Sequence, residues 1–279
     1  MESLLFDAKL TDAQFDRIAR LVYDMAGIHL PRGKETLVHA RLSRRLRALG
    51  LQDFKQYLAL LDSVEGAQEI PNLIDAVTTN KTSFFREPDH FDFLRDALLR
   101  RVQKAGAHLR LWSAGCSSGE EPYSLAITLY DALPDPSACD VKILATDVSH
   151  RVLEVARAAE YPAEALSDVP KEVVARHFEP VGCPSSALCL YRVRPHIRQW
   201  VRIAHLNLMG PWPMQGPFDA ILCRNVMIYF DKPTQRRLID RFCSLLRPGG
   251  WLLVGHSESL NGVDRRLRYV QPAVYEVLP

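Results

Sequence analysis

Several things are scarce in this chain, and each scarcity narrows what it can be. There is no run of about 18 apolar residues, so a membrane-spanning helix is not expected. The opening stretch, MESLLFDAKL, lacks the basic-then-apolar order of an export signal, so secretion is not expected either. Cys116, Cys139, Cys183, Cys189, Cys223 and Cys243 form neither a CxxC pair nor a Cys/His ligand spacing. They read as reduced, mostly packed thiols of a cytoplasmic protein, and no metal is expected. The formal net charge is only +2, which excludes a uniformly basic nucleic-acid binder and leaves local clusters to be judged separately. What is abundant is apolar bulk. At 47% hydrophobic over 279 residues, the chain can bury a full core and build two domains.

The first part reads as helical throughout. Thr11 and Gln14 make a capping box ahead of Phe15, Ile18, Val22 and Met25, and Gly27 and Pro31 mark the exit. Val38, Leu42, Leu46 and Leu49 line a second helix that stops at Gly50, and Asp53 caps a third through Leu61. A fourth carries Ile70, Leu73, Ile74 and Val77 on one stripe. Residues 1–78 are therefore expected to form an all-helical domain, with 79–88 as a linker and 89–279 as a second domain. In that second domain strands alternate with helices: 109–113, 141–146, 218–223 and 251–255 as strands, 89–104, 121–133, 151–158 and 233–246 as helices. The pattern implies an α/β fold with a parallel sheet and ligands at the strand carboxyl ends. Two short strands in 267–278 would close one edge. LCLYRV and WVRIAH, flanking Arg194–Pro195–His196, read as a β-hairpin, placing an inserted β-subdomain at about 180–205.

The stretch WSAGCSSGEEPYSLA (112–126) carries the most information. It reads as a strand end, a small-residue turn and a helix start, which would set free backbone N–H groups beside a ligand. Glu120 and Glu121 at its rim would repel a phosphate. They suit a ligand bearing hydroxyls, an ammonium or a sulfonium, which points to S-adenosylmethionine and away from NAD or ATP. Asp147 closes the next strand, where an acid can accept from both ribose hydroxyls; the competing reading is a helix cap. Asn207–Leu208 in HLNLMG could read adenine, although an asparagine there also suits a turn. CRNVMIYF places Arg224, Asn225 and Tyr229 past a further strand end.

The order NKTSFFRE (80–87), WSAGCSSGEEPYSLA, ATD, NL, FDAILCRNVMIYFD (218–231) and LRPGGWLLVGHSESL (246–260) resembles the CheR family of chemoreceptor glutamate methyltransferases, over nearly the whole chain. The resemblance implies a helical N-terminal domain and a class I S-adenosylmethionine-dependent, Rossmann-like methyltransferase domain with an inserted small β-subdomain. It implies methyl transfer to receptor glutamates, giving 5-O-methyl esters and S-adenosylhomocysteine during sensory adaptation. By motif match, Asn80, Thr82 and Arg86 would line the cofactor pocket, with Glu120 and Glu121 near the methionine portion. Asp147 would take the ribose, and Asn207, Leu208, Asn225 and Val226 would complete the enclosure. The alternatives are an RNA or other protein methyltransferase on the same cofactor, or a catalytically silent cofactor-binding module. RNVMIYF is not the Asn/Asp-Pro-Pro-aromatic motif of base-modifying enzymes, so nucleic acid is not expected.

A glutamate carboxylate, with a reference pKa of about 4.3, is already ionised at neutral pH, so no general base is expected. Arg86 and Tyr229 are the candidates for positioning it. Arg41, Arg44 and Arg45, on a face opposite the apolar stripe of the second helix, with Arg47 nearby, are the candidates for receptor contact; the competing reading is an ordinary solvated face. The arginine-rich hairpin could take a receptor's C-terminal peptide as an added strand, stack on single-stranded nucleic acid, or be purely structural with solvated arginines. A monomer is expected.

Overall fold

The computed structural model describes residues 9–105, 108–182, 189–260, 262 and 264–278. Cys183 lies outside them. The chain divides into two compact units, the first running to Thr79 and including Asn207–Gly210 and Tyr229–Asp231, the second comprising the remainder.

The first unit contains α1 (Asp12–Ala26), α2 (Glu35–Leu49), α3 (Phe54–Leu61) and α4 (Gly66–Val77). Thr11 closes the capping box with Gln14, and Gly27 (φ 70°) and Gly50 (φ 69°) end α1 and α2 in the left-handed conformation. Phe15, Ile18, Val22, Val38, Leu42, Leu46, Tyr57 and Leu73 are buried together as the periodicity requires. Within this core Glu69 is also buried. Arg45 reaches it through Nε (2.6 Å) and Nη2 (2.5 Å), Tyr57 Oη donates at 3.1 Å and Asn72 Nδ2 at 3.0 Å.

The second unit contains α5 (Pro88–Ala105), β1 (His108–Ala114), α6 (Glu120–Ala132), β2 (Asp140–Asp147), α7 (His150–Ala158) and β3 (Glu160–Pro162). It continues with α8 (Lys171–His177), β4 (Phe178–Val181), β5 (Leu190–Val193), α9 (Pro195–Arg198) and β6 (Val201–His205). β7 (Phe218–Cys223), α10 (Lys232–Leu245), β8 (Leu246–Val254), β9 (Leu267–Gln271) and β10 (Val274–Val277) complete it. The large sheet has the order β6-β2-β1-β7-β8-β10-β9. Its first five strands are parallel, and β10 pairs antiparallel with both β8 and β9. The chain leaves β1 toward β2 on one side and returns to β7 on the other, so the strand order reverses at β1. In open α/β sheets that reversal opens the ligand crevice at the carboxyl ends.

The expected hairpin at 180–205 is corrected by the sheet pairing. β5 lies in a separate three-stranded antiparallel sheet, order β3-β5-β4, whereas β6 joins the large sheet beside β2. The segment between them is not a turn but the short helix α9. The small sheet thus begins at Glu160, directly after α7, and is sealed by Tyr161, Phe178 and Val193, with Phe84 set edge-on to Tyr161 and Phe178. Among the described residues no helix is long and apolar enough to cross a membrane. The described cysteines are unpaired thiols, and all but the half-buried Cys139 are buried.

Candidate active site

Beyond β1 the chain turns through Gly115–Gly119 into α6. Gly115 has φ 88°, and a Cβ there would lie 2.3 Å from Val226 Cγ2; Gly119 has φ 98°, and a Cβ there would lie 2.9 Å from Tyr161 Oη. Conformation and space both require glycine at these two positions. Four of the turn's N–H groups are engaged within the protein. Gly115 and Cys116 donate to the Thr146 carbonyl (2.8 and 2.9 Å), Gly119 donates to Cys116 (3.0 Å), and Ser117 donates to Asp147 Oδ2 (2.9 Å). The end of β2 absorbs three of these donors because it lies alongside β1 in register.

Asp147 is 9% exposed, and its Oδ1 accepts from the Ser149 N–H at 3.0 Å. Capping of α7 is done by Ser149, whose hydroxyl accepts from Val152, so the cap reading of Asp147 fails. The backbone N–H groups of Ser117 and Ser149 aim the Asp147 carboxylate.

The two glutamates of α6 have different surroundings. Glu120 is buried and accepts from Ser118 Oγ at 2.7 Å, and burial pushes its carboxyl up. Glu121 accepts from Ser113 Oγ at 2.7 Å and from Arg224 Nη1 at 3.1 Å; burial pushes it up while Arg224 and Ser113 pull against that. Arg224 was only located by sequence and given no role. It is 2% exposed, pairs with Glu87 Oε2 at 3.0 Å as well as with Glu121, and donates to the Arg86 carbonyl. Burial alone would raise Glu87, but the Arg224 guanidinium outweighs it and holds the carboxyl below its ordinary value.

Glu258 was also missed. It accepts from the N–H groups of Asn225 (2.9 Å), Ile228 (3.0 Å) and Gly255 (2.5 Å), fixing the loop after β7 and holding Asn225 at φ 59°. Both residues were detectable as charges just past buried strand ends. Their partners, far away in sequence, were not.

Asn80 lies beside the turn: its carbonyl accepts from Ser117 Oγ at 2.9 Å, and its Nδ2 is buried with no hydrogen-bond partner. Val226 packs on Gly115. Thr82 is half-buried and Arg86 exposed on the segment between Asn80 and Glu87, with Arg86 Nη1 donating to the Lys81 carbonyl at 3.1 Å. This unit thus brings together Asn80, Glu120, Glu121, Asp147, Asn225 and Val226 around one set of strand ends.

The remaining candidates belong to the helical unit. Asn207 Nδ2 donates to the Met25 carbonyl at 2.6 Å and its Oδ1 accepts from Met209 at 2.9 Å, so its amide serves a turn rather than reading a base. Leu208 is buried, and Tyr229 Oη donates to the Thr79 carbonyl at 3.0 Å. The arginines of α2 do not form one free face. Arg41 closes the end of α4 through the carbonyls of Val77 (2.7 Å) and Thr78 (3.0 Å), and Arg45 is held by Glu69. The physical reason is that α2 packs against α4 on a second side. Arg44 is exposed, and Arg47, also exposed, donates back to the Ser43 carbonyl at 3.3 Å.

These residues fit a cofactor that brings an acceptor for an amide, hydroxyls for a carboxylate and positive charge for an acidic rim. The orphaned Asn80 amide, Asp147 and the Glu120–Glu121 pair supply those three respectively, as S-adenosylmethionine requires. Residues 80–275 match the family model described as CheR methyltransferase, SAM binding domain, and residues 13–78 match its all-alpha domain. The chain is 44% identical to the chemotaxis protein methyltransferase of Escherichia coli K12, across 95% of this chain and 91% of the relative. It is 44% identical to chemotaxis protein methyltransferase 2 of Pseudomonas aeruginosa, across 95% and 93%. With the Borreliella burgdorferi chemotaxis protein methyltransferase it shares 37% identity across 96% and 95%. The chain belongs to the CheR methyltransferase family and carries both its all-alpha and its SAM-binding domain.

Proposed function

We propose that this protein transfers a methyl group from S-adenosylmethionine to glutamate side chains of bacterial chemoreceptors, forming 5-O-methyl esters. The observation that carries this reading is the acidic, glycine-turned end of β1 and β2, set in a chain that matches its family along nearly its whole length. Bound there, S-adenosylmethionine supplies a sulfonium-activated methyl group. We assign Asp147 to the ribose hydroxyls, Glu120 and Glu121 to the cationic methionine end, and Asn80 to an acceptor on the cofactor. Thr82, Asn225 and Val226 are assigned as flanking contacts. Asn207 is not assigned a side-chain contact, because its amide is already spent at both ends.

The receptor glutamate arrives ionised, so no residue has to remove a proton. The protein's task is to align and dehydrate a carboxylate, and positioning of this kind is worth about 7–11 kcal/mol in favourable cases. We assign that task to Arg86, joined by Tyr229 once its single hydroxyl proton turns from the Thr79 carbonyl to the incoming carboxylate. An exposed guanidinium attracts the carboxylate without holding it so tightly that it loses nucleophilicity. Arg44 and Arg47 provide the steering charge for an acidic receptor surface.

The test is incubation with methyl-labelled S-adenosylmethionine and receptor-containing bacterial membranes, counting label released as methanol by alkali. Base-labile label that disappears with Asp147→Ala supports the reading. Stable label on RNA, or none at all despite intact cofactor binding, overturns it.

A further inference from the structure

We propose that Glu87, His90 and His256 form a binding site for a divalent transition-metal ion of the zinc class. One ligand atom from each of the three lies within 4.8 Å of the other two. The cluster is assembled from two separate places in the chain. Glu87 and His90 sit three residues apart where α5 begins, and His256 follows the end of β8.

His90 makes the strongest case. It is fully buried, neither ring nitrogen makes a well-formed hydrogen bond although the Pro272 backbone approaches the ring, and its Nδ1 points at Glu87 Oε2 from 3.5 Å. Burying such a group unsatisfied is unfavourable, and a ligand for the ring's lone pair would relieve it. The His256 ring meets it edge-on at a centroid distance of 4.8 Å.

Glu87 is suitably prepared. Its Oε2 is held by Arg224, while Oε1 accepts only a long contact from the His256 N–H at 3.4 Å. Oε1 is therefore the ligating oxygen and Arg224 the outer-shell donor that orients the carboxylate, an arrangement usual for metal-bound acids. Two imidazole nitrogens and one carboxylate oxygen favour zinc, cobalt or nickel over magnesium or calcium. Ligands of tetrahedral zinc lie roughly 3.4 Å apart, so the site closes by small side-chain rotations. His256 is exposed, which provides the entry path and leaves further coordination positions to water.

The site is tested on the full-length protein, stripped of metal and titrated with Co²⁺ by visible spectroscopy and with Zn²⁺ by equilibrium dialysis. The expected result is one ion per chain and d–d bands of a nitrogen/oxygen site without a thiolate charge-transfer band. His256→Ala, at an exposed position, should weaken binding by at least about tenfold, and Glu87→Gln should do the same. Circular dichroism of both variants shows that the fold persists. Unsaturable uptake, a thiolate band, or His256→Ala binding at wild-type affinity would each overturn the proposal. Because no methyl donor is present, the outcome is independent of the methyltransferase reading.

Discussion

Each unit of this protein buries an arginine–glutamate network, and the two are balanced in opposite ways. In the helical unit one carboxylate, Glu69, is surrounded by donors: Arg45 twice, Tyr57 and Asn72. In the sheet unit one guanidinium, Arg224, is surrounded by acceptors: Glu87, Glu121 and the Arg86 carbonyl. The first network is closed, with every oxygen matched. The second carries one positive charge against two negative ones, with Glu120 buried close by in sequence. A closed network fixes a fold, whereas a surplus of buried negative charge calls for a cation from outside. That surplus suits a sulfonium and ammonium at one end and, by our inference, a metal ion at the other.

The comparison can be broken most forcefully at Arg224. Arg224→Met would leave two carboxylates buried without their counter-charge, and we expect a loss of about 3–5 kcal/mol in chemical denaturation. A loss under about 1 kcal/mol would show that the network is not the keystone of the strand ends. Next is Asp147→Asn, which removes charge from the hydroxyl acceptor and should weaken S-adenosylhomocysteine binding about 10–100-fold by calorimetry with the melting temperature nearly kept. Arg45→Met should cost about 2 kcal/mol, less than Arg224→Met because Tyr57 and Asn72 still serve Glu69. It should leave cofactor affinity unchanged; equal loss of both would erase the contrast between the networks. Tyr229→Phe removes a single hydroxyl contact, worth about 0.5–1.5 kcal/mol, and should lower turnover at saturating receptor. Unchanged turnover would remove Tyr229 from the positioning role. The smallest effect is expected for Arg44→Glu, about 1 kcal/mol or less in receptor methylation, fading as salt is raised and invisible to cofactor binding.

Much of this architecture was legible in the residues because it is written in local terms. Thr11 with Gln14, the apolar stripes of α1–α4 and the alternation of strands with helices need only neighbours to be understood. The failure at β5 and β6 has the opposite cause. LYRV and VRIAH both read as strands, but a strand-like sequence does not name its partner, and theirs lie in different sheets. β3, only three residues long, offers no period to detect. The site divides the same way. Glu120, Glu121 and Asp147 announce themselves at strand ends. The use of the turn's N–H groups by Thr146 and Asp147, and of Arg224 by Glu87 across 137 residues, are facts of three-dimensional pairing. The α2 arginines mislead for the same reason, since the helix that claims Arg41 and Arg45 arrives later in the chain.

Tyr161 deserves a last look for what it joins. It stands on β3 in the small sheet, its hydroxyl donates to the Ser118 carbonyl at 2.8 Å, and that same oxygen sets the limit on any side chain at position 119. The small sheet is therefore bolted to the hinge of the glycine turn rather than appended to the domain's rim. Any substitution that displaces Tyr161 from β3 therefore reaches the start of α6 through this one phenol.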